Sequence, residues 1–93
     1  MEQVFFAGHT FEGYCIPTAN SVILIIKAEH GFLGCGYVST ATADKTGDAA
    51  AIVSGVRNFG DMLAAEVKAV SAAAAARGVT TGMNGGEALL KFV

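Results

Sequence analysis

Residues Val22–Val38, VILIIKAEHGFLGCGYV, form the most apolar stretch of the chain and determine its predicted architecture. Two apolar runs flank the pair His30-Gly31. Glycine adopts positive φ freely and histidine tolerates it better than most residues, so this pair is expected to form a two-residue turn. The stretch is therefore predicted to be an antiparallel β-hairpin, and the other elements are placed around it.

A two-residue turn fixes the register of this hairpin, pairing Lys27 with Gly34 and Ile26 with Cys35. One face is then apolar and is predicted to pack on the core: Val22, Leu24, Ile26, Ala28, Leu33, Cys35 and Tyr37. The opposite face is bare at Gly34 and Gly36. Because glycine weakens a strand, this face predicts the close approach of another chain, a helix or a ligand.

Two short strands are predicted before the hairpin, at residues 3–7 and 10–16, with a turn at Gly8-His9. Residues Val4–Phe6 are consecutive and apolar. A strand that is apolar on both faces is buried on both, so we expect another subunit to provide the second cover.

After the hairpin, a short helix is expected from Ser39 or Thr40 to Gly47, and a buried strand at residues 50–56. Asn58 begins a helical region whose apolar stripe predicts one helix, or two helices broken near Glu66: Leu63, Val67, Val70 and Ala74. Asn84 caps a last helix. This order predicts an α+β fold, with antiparallel N-terminal hairpins in a mixed sheet packed by two or three C-terminal helices.

The composition predicts assembly. The 93 residues correspond to one domain, residues 1–93, in which 53% are hydrophobic and 15% are charged. A chain this short buries only about 60–65% of its unfolded surface. The longest uninterrupted apolar run, Val22–Ile26, is far shorter than the ~20 residues of a membrane span. We therefore expect other copies of the chain, and not a membrane, to cover the excess apolar surface.

Other partners and groups are not expected. The net charge is −2 without a basic run, which argues against nucleic acid. The start MEQVFF lacks the features of a signal peptide, so a cytoplasmic location with reduced cysteines is expected. The glycines at 31, 34 and 36 lie within the hairpin, unlike dinucleotide-binding glycines, and no cofactor is expected. The histidines and cysteines lack zinc-ligand spacing, so no metal site is expected.

Cys35 is the candidate nucleophile. It would need a base and an electropositive setting, and neither His9 nor His30 has a recognisable spacing to it. The alternative is a buried, reduced cysteine that packs opposite Ile26. Cys15 is expected in the core.

Further positions are candidates for ligand binding: Asn20, Lys27, Gly34, Gly36, Asn84 and Gly85. The backbone amides at the start of the last helix could hold an anion, although a helix cap with flexible glycines also explains Asn84 and Gly85. Lys27 is also explained as an edge residue or a subunit ion pair, and Asn20 as a turn residue.

Three blocks of the chain resemble the YunC-like family, a small bacterial and archaeal family of unknown function. They are LIIKAEHGFLGCGY at 24–37, GDAAAIVSGV at 47–56 and GMNGGEALLKF at 82–92, and they keep the family's order and spacing. The resemblance covers nearly the whole chain. It implies an α+β domain whose N-terminal β region mediates tetramer formation, and it implies no activity.

The resemblance also singles out individual positions. The family's frequent Cys-Gly pair falls on Cys35-Gly36, its lysine before the turn on Lys27, and its Gly-Val pair on Gly55-Val56.

One position departs from the family pattern. The last helix of the family often begins Gly-Arg-Glu-Ala-Leu, and here Gly86 stands at the position of the arginine. A ligand held by that arginine would not be bound in the same way by this chain.

Two functions are therefore considered. The first is a homo-oligomeric module with a structural or regulatory binding role, a tetramer or a dimer assembled through the N-terminal strands. The second is an enzyme or small-ligand carrier that uses Cys35 at a glycine-lined pocket, within one chain or between subunits. The scarcity of clustered titratable groups favours the first function.

Overall fold

The computed structural model describes residues 1–93 as one six-stranded sheet with four helices. The strands are β1 (Glu2–Phe6), β2 (His9–Pro17), β3 (Val22–Lys27), β4 (Phe32–Gly34), β5 (Ala50–Ile52) and β6 (Ala69–Val70). The helices are α1 (Thr40–Thr46), α2 (Phe59–Ala64), α3 (Ala72–Ala76) and α4 (Gly85–Leu90). The strands lie side by side in chain order, antiparallel except for β4 and β5, which are parallel and joined through α1. The predicted α+β fold with a mixed sheet is confirmed.

One face of the sheet, here called the inner face, packs on the core. Its buried side chains come from four strands: Val4, Phe11, Leu24, Ile26 and Leu33. Helices α2 and α4 cover this face, because Phe59 of α2 lies over Gly13 of β2 and Gly85 of α4 lies against Leu33. Phe92, just after α4, is fully buried in the same core.

The opposite, outer face is covered at one end only. Beyond β4, the side chain of Val38 lies on Gly34, and α1 shares a cleft with Phe32. Asp44 of α1 accepts a hydrogen bond from the N–H of Ala72 at 2.8 Å, which ties α1 to the start of α3. In contrast, the outer side chains of β1–β3 are all exposed or half-buried. The N-terminal half of the sheet therefore has one uncovered face.

The register of the central hairpin differs from the predicted one. Lys27 pairs with Phe32 and not with Gly34, because a four-residue loop replaces the expected two-residue turn. Within this loop the N–H of His30 donates to the carbonyl of Phe92 at 2.8 Å, so the loop is held by the far end of the chain. The shift is two residues, and since side chains alternate along a strand, each residue within β3 and β4 keeps its predicted face.

The predicted helical stripe is interrupted by a strand. α2 ends at Ala64, and residues 69–70 form β6 at the edge of the sheet. There the N–H of Lys68 donates to the carbonyl of Ile52 at 2.8 Å, and the N–H of Ser71 donates to that of Ala50 at 2.9 Å. The strand predicted at residues 50–56 ends earlier, at Ile52.

Several predicted helix boundaries are confirmed. Gly47 ends α1 in the left-handed conformation with φ +82°. The side chain of Asn58 accepts a hydrogen bond from the N–H of Asp61 at 2.7 Å, and Asn84 accepts one from the N–H of Glu87 at 2.9 Å. No helix in the structure combines the length and the hydropathy required to cross a bilayer.

Candidate functional site

Cys35 follows directly after β4 and is only 3% exposed. Its sulfur accepts a hydrogen bond from the N–H of Leu24 at 3.3 Å, and its own N–H donates to the carbonyl of Leu24 at 3.1 Å. The thiol is therefore held beside Leu24, and the predicted pairing of Cys35 with Ile26 is wrong. His30 lies in the loop at the other end of the hairpin, and His9 shares a surface cleft with Lys27. Neither imidazole is therefore placed to act as a base for the thiol.

A cavity of about 360 Å³, here called the cysteine cavity, opens beside Cys35. Its lining comes from three segments: Ser21, Val22, Cys35, Gly36, Tyr37, Gly55, Val56 and Arg57. Gly55 has φ +71°, a conformation that residues with side chains rarely adopt, so glycine is favoured there. The cavity brings together the two pairs that the family resemblance singled out, Cys35-Gly36 and Gly55-Val56.

The two glycines of the hairpin have different surroundings. Gly34 is buried, and a side chain added to it would meet Val38 at 2.9 Å, so the close approach at this position comes from the same chain. Gly36 lies beyond the end of β4, is exposed, and has no atom within 4 Å of where a Cβ would be. Asn20 is exposed in the bend before Ser21 and is not among the residues that line the cysteine cavity.

Two core predictions are wrong. Cys15 is exposed, because β2 is a nine-residue strand whose last residues reach past the elements that cover the inner face. Tyr37 is 60% exposed, because the chain leaves the sheet after Gly34 and the alternation of a strand no longer applies to it.

Asn84 and Gly85 have roles in positioning α4. Asn84 caps the helix, and the N–H of Gly85 donates to the carbonyl of Ala65 at 2.9 Å. A Cβ at Gly85 would point into the carbonyl oxygen of Met62, so only glycine lets α4 pack this closely on α2. Helix packing and capping therefore explain both residues.

A second cleft, of about 680 Å³, lies where the outer face of β2–β4 meets the C-terminal end of α3. We call it the lysine cleft. Tyr14, Ile25, Lys27 and Phe32 contribute from the strands, and Arg77 contributes from the end of α3. Sequence reasoning identified Lys27 but missed Arg77, which is distant in the chain and carries no motif.

Lys27 has no carboxylate partner in this cleft. Its cross-strand neighbour is Glu12, but the hydroxyl of Tyr14 donates to the carboxylate of Glu12 at 2.5 Å. This hydrogen bond, followed by desolvation and the negative charge of Glu12, raises the pKa of the Tyr14 phenol above its usual value of 10.0. No carboxylate oxygen lies within 4.0 Å of the side-chain nitrogens of Lys27 or Arg77.

Elsewhere in the structure, no three His, Cys, Asp or Glu side chains come together in a group that could hold a metal ion. The hydroxyl of the buried Ser71 has its hydrogen-bond partners within the chain. It donates to the carbonyl of Asp48 at 2.8 Å and accepts from the N–H of Ala50 at 2.9 Å. The cysteine cavity and the lysine cleft each bring a predicted site residue to the same space as an arginine from another segment, Cys35 with Arg57 and Lys27 with Arg77.

Comparison with known proteins gives a consistent picture. The family described as a domain of unknown function (DUF1805) matches residues 34–92. The uncharacterized protein YunC of Bacillus subtilis (strain 168) is 28% identical over 97 residues, which cover 100% of this chain and 96% of that protein. The crystal structure of a protein of unknown function, TA1206 from Thermoplasma acidophilum, is similar with a TM-score of 0.92 at 29% identity, covering 99% of this chain and 90% of that chain. The match over residues 34–92, together with the resemblance seen in the sequence, shows that this chain belongs to the DUF1805 family.

Proposed function

We propose that this protein is a homo-oligomeric module, structural or regulatory, that assembles as a tetramer through the outer face of β1–β3. The observation that carries this proposal is the uncovered, apolar character of that face. Phe5 is 69% exposed, Ile16 is 57% exposed and Tyr14 is 36% exposed. The outer face of β4 and β5, in contrast, lies under the segment that carries α1 and α3.

The pairing of β2 with β3 concentrates these side chains. Tyr14 lies opposite Ile25, and Ile16 lies opposite Ile23, so four large apolar side chains are adjacent on one face. Contiguous exposed apolar patches of this kind mark protein contact sites. A second copy laying the same face against this one would bury both, as in sheet-on-sheet packing at about 10 Å.

A tetramer requires a second contact. Tetramers of two identical dimers use two different self-complementary surfaces. The other surface available in the N-terminal half is the open edge of β1, whose outer backbone groups have no strand partner in this chain. Pairing of this edge with another copy would extend the sheet. The tetrameric state itself is implied by the family resemblance.

The assembly is tested by light scattering coupled to size-exclusion chromatography at low micromolar concentration. We expect a mass of about four times the 9.5 kDa of the chain. Ile16→Glu should raise the dissociation constant of the assembly by at least about thirtyfold, because it would bury a charge within the proposed contact. Val93→Glu, at a 47% exposed apolar residue at the chain end, is the matched control and should leave the mass unchanged. A stable wild-type monomer would contradict the proposal.

A second function, an enzyme or small-ligand carrier that uses Cys35, is favoured by the cysteine cavity. Cys35 lines this cavity together with Gly36, Gly55 and the cation Arg57. Reactive cysteines lie in partially accessible, electropositive surroundings.

This second function predicts that iodoacetamide alkylates Cys35 in the native protein at about pH 7, faster than it alkylates the exposed Cys15. The rates are measured by mass spectrometry in the single-thiol variants Cys15→Ser and Cys35→Ser. Arg57→Gln should slow the reaction of Cys35. Labelling of Cys35 only after denaturation would show a sealed core residue and would exclude the nucleophile.

A further inference from the structure

We infer that the lysine cleft binds a small organic monoanion, a carboxylate attached to a planar apolar body, with Lys27 and Arg77 holding the carboxylate. The inference concerns ligand binding by one chain and goes beyond the proposed assembly. Two residues of the lining, Tyr14 and Ile25, also belong to the face proposed for assembly, so the oligomeric state is measured under the same conditions as ligand binding.

Two cations from distant segments line the cleft. Lys27 comes from the end of β3, and Arg77 follows the last residue of α3, and the fold brings both to one cleft. Neither has a carboxylate within 4.0 Å, and Glu12, the cross-strand neighbour of Lys27, accepts from Tyr14 instead. The guanidinium of an arginine fits a carboxylate with two parallel hydrogen bonds, which a lysine ammonium supplements as a point charge.

Apolar side chains form part of the walls of the cleft. Ile25, Phe32 and Ala73 are half-buried and present apolar surface to the same space as the cations. A volume of about 680 Å³ lies within the range of small-molecule sites, which combine apolar walls with a few polar groups. The apolar part of the cleft therefore suits the body of an organic acid better than a bare inorganic ion.

Two carboxylates limit the charge of the ligand. Glu29 and Asp48 also line the cleft. A nitrogen of His30 lies 3.9 Å from the Glu29 carboxylate, and the hydroxyl of Thr46 donates to Asp48 at 2.7 Å. Their charges balance those of Lys27 and Arg77 in number, so a ligand with several negative charges would be repelled. This leaves a monoanion as the favoured class.

The test is a titration of the isotope-labelled protein followed by amide NMR with three probes. Benzoate carries both the carboxylate and a planar body, benzyl alcohol carries the body alone, and inorganic phosphate carries charge alone. We expect saturable benzoate shifts in the millimolar range at Ile25, Phe32 and Ala73, with binding of the other two probes at least about fivefold weaker.

Variants identify the groups responsible. Lys27→Gln and Arg77→Gln should each weaken benzoate binding by about three- to fivefold. Glu29→Gln should strengthen it, because a repelling charge is removed. Lys68→Gln is the control, since Lys68 is an exposed lysine that pairs with Glu66 at 3.8 Å and does not line the cleft. All these residues are exposed, and circular dichroism verifies that the variants are folded.

Three results would overturn the inference. One is the absence of benzoate shifts in the cleft. Another is equal binding of benzoate and benzyl alcohol, or of benzoate and phosphate. The last is equal benzoate affinity of the wild type, Lys27→Gln and Arg77→Gln. The outcome is distinguishable from that of the assembly test, because a monomeric protein that binds benzoate here would contradict the tetramer and support the cleft.

Discussion

Replacing Gly85 with alanine is expected to lower the free energy of unfolding by about 3 kcal/mol or more. Gly85 is buried at the start of α4, and a Cβ there would point at the carbonyl oxygen of Met62 in α2. The two atoms would be much closer than 3.0 Å, the distance below which Cβ contacts are essentially never observed. It would also lie 2.7 Å from Leu33. Because the carbonyl is backbone and not a flexible side chain, relief requires α4 to move away from α2.

Gly36→Ala is the matched control for this variant. Gly36 has open space at the position of a Cβ and does not have positive φ. Its replacement should change stability by no more than about 0.5 kcal/mol, or stabilise slightly through the unfolded chain. Urea denaturation of both variants gives the comparison. Equal midpoints for Gly85→Ala and Gly36→Ala would show that the contact between α2 and α4 adjusts at little cost.

The sequence predicts the faces of the central hairpin better than its register. Leu24, Ile26 and Leu33 are buried as predicted, because alternation of side chains is a local property of a strand. The register depends on the loop, and the loop is held by a hydrogen bond from His30 to Phe92. A partner so distant in the chain leaves no signal in the hairpin itself. A register shift of two residues leaves the predicted core residues of the strands unchanged, because it preserves the alternation of side chains.

The region between α2 and α3 shows the opposite case, in which a local pattern misleads. Val67 and Ala74 have helical spacing and are buried, yet residues 69–70 form a strand. The edge of β5 offers carbonyl groups that would otherwise lack partners, and the N–H groups of Lys68 and Ser71 satisfy them. Sheet pairing, which is not visible in the spacing of apolar residues, outweighs helix formation here.

The sequence predicts only one of the two notable residues at each candidate site. The sequence singles out Cys35 and Lys27, but the cations that accompany them, Arg57 and Arg77, lie on distant segments without a motif. Only the fold places each pair at one cavity. The family's Gly-Val pair, Gly55-Val56, is the one feature of the sequence that points to the segment of Arg57, which directly follows it.

Gly86 and Phe6 are expected to be strongly coupled in stability. A Cβ at Gly86 would lie against the ring of Phe6, which reaches from β1 to α4 across the inner face. Gly86→Ala should therefore lower the free energy of unfolding by about 2 kcal/mol, because the half-buried ring must leave its place. In a Phe6→Ala background the same change should be neutral or stabilising, since alanine favours a helix by about 1 kcal/mol over glycine.

A double-mutant cycle in urea measures this coupling, which we expect to be about 2–3 kcal/mol. Gly36→Ala, combined with Phe6→Ala, is the control cycle and should be additive, because Gly36 has no neighbour at its Cβ position. The same cycle with Gly86→Arg restores the residue that the family resemblance implies, and it should be tolerated only when the ring is absent. This would mean that an aromatic ring from β1 occupies the arginine position in this chain and joins the N-terminal strands to α4. Additive effects of Gly86→Ala and Phe6→Ala would instead show that the ring moves aside freely, and the glycine would then need another explanation.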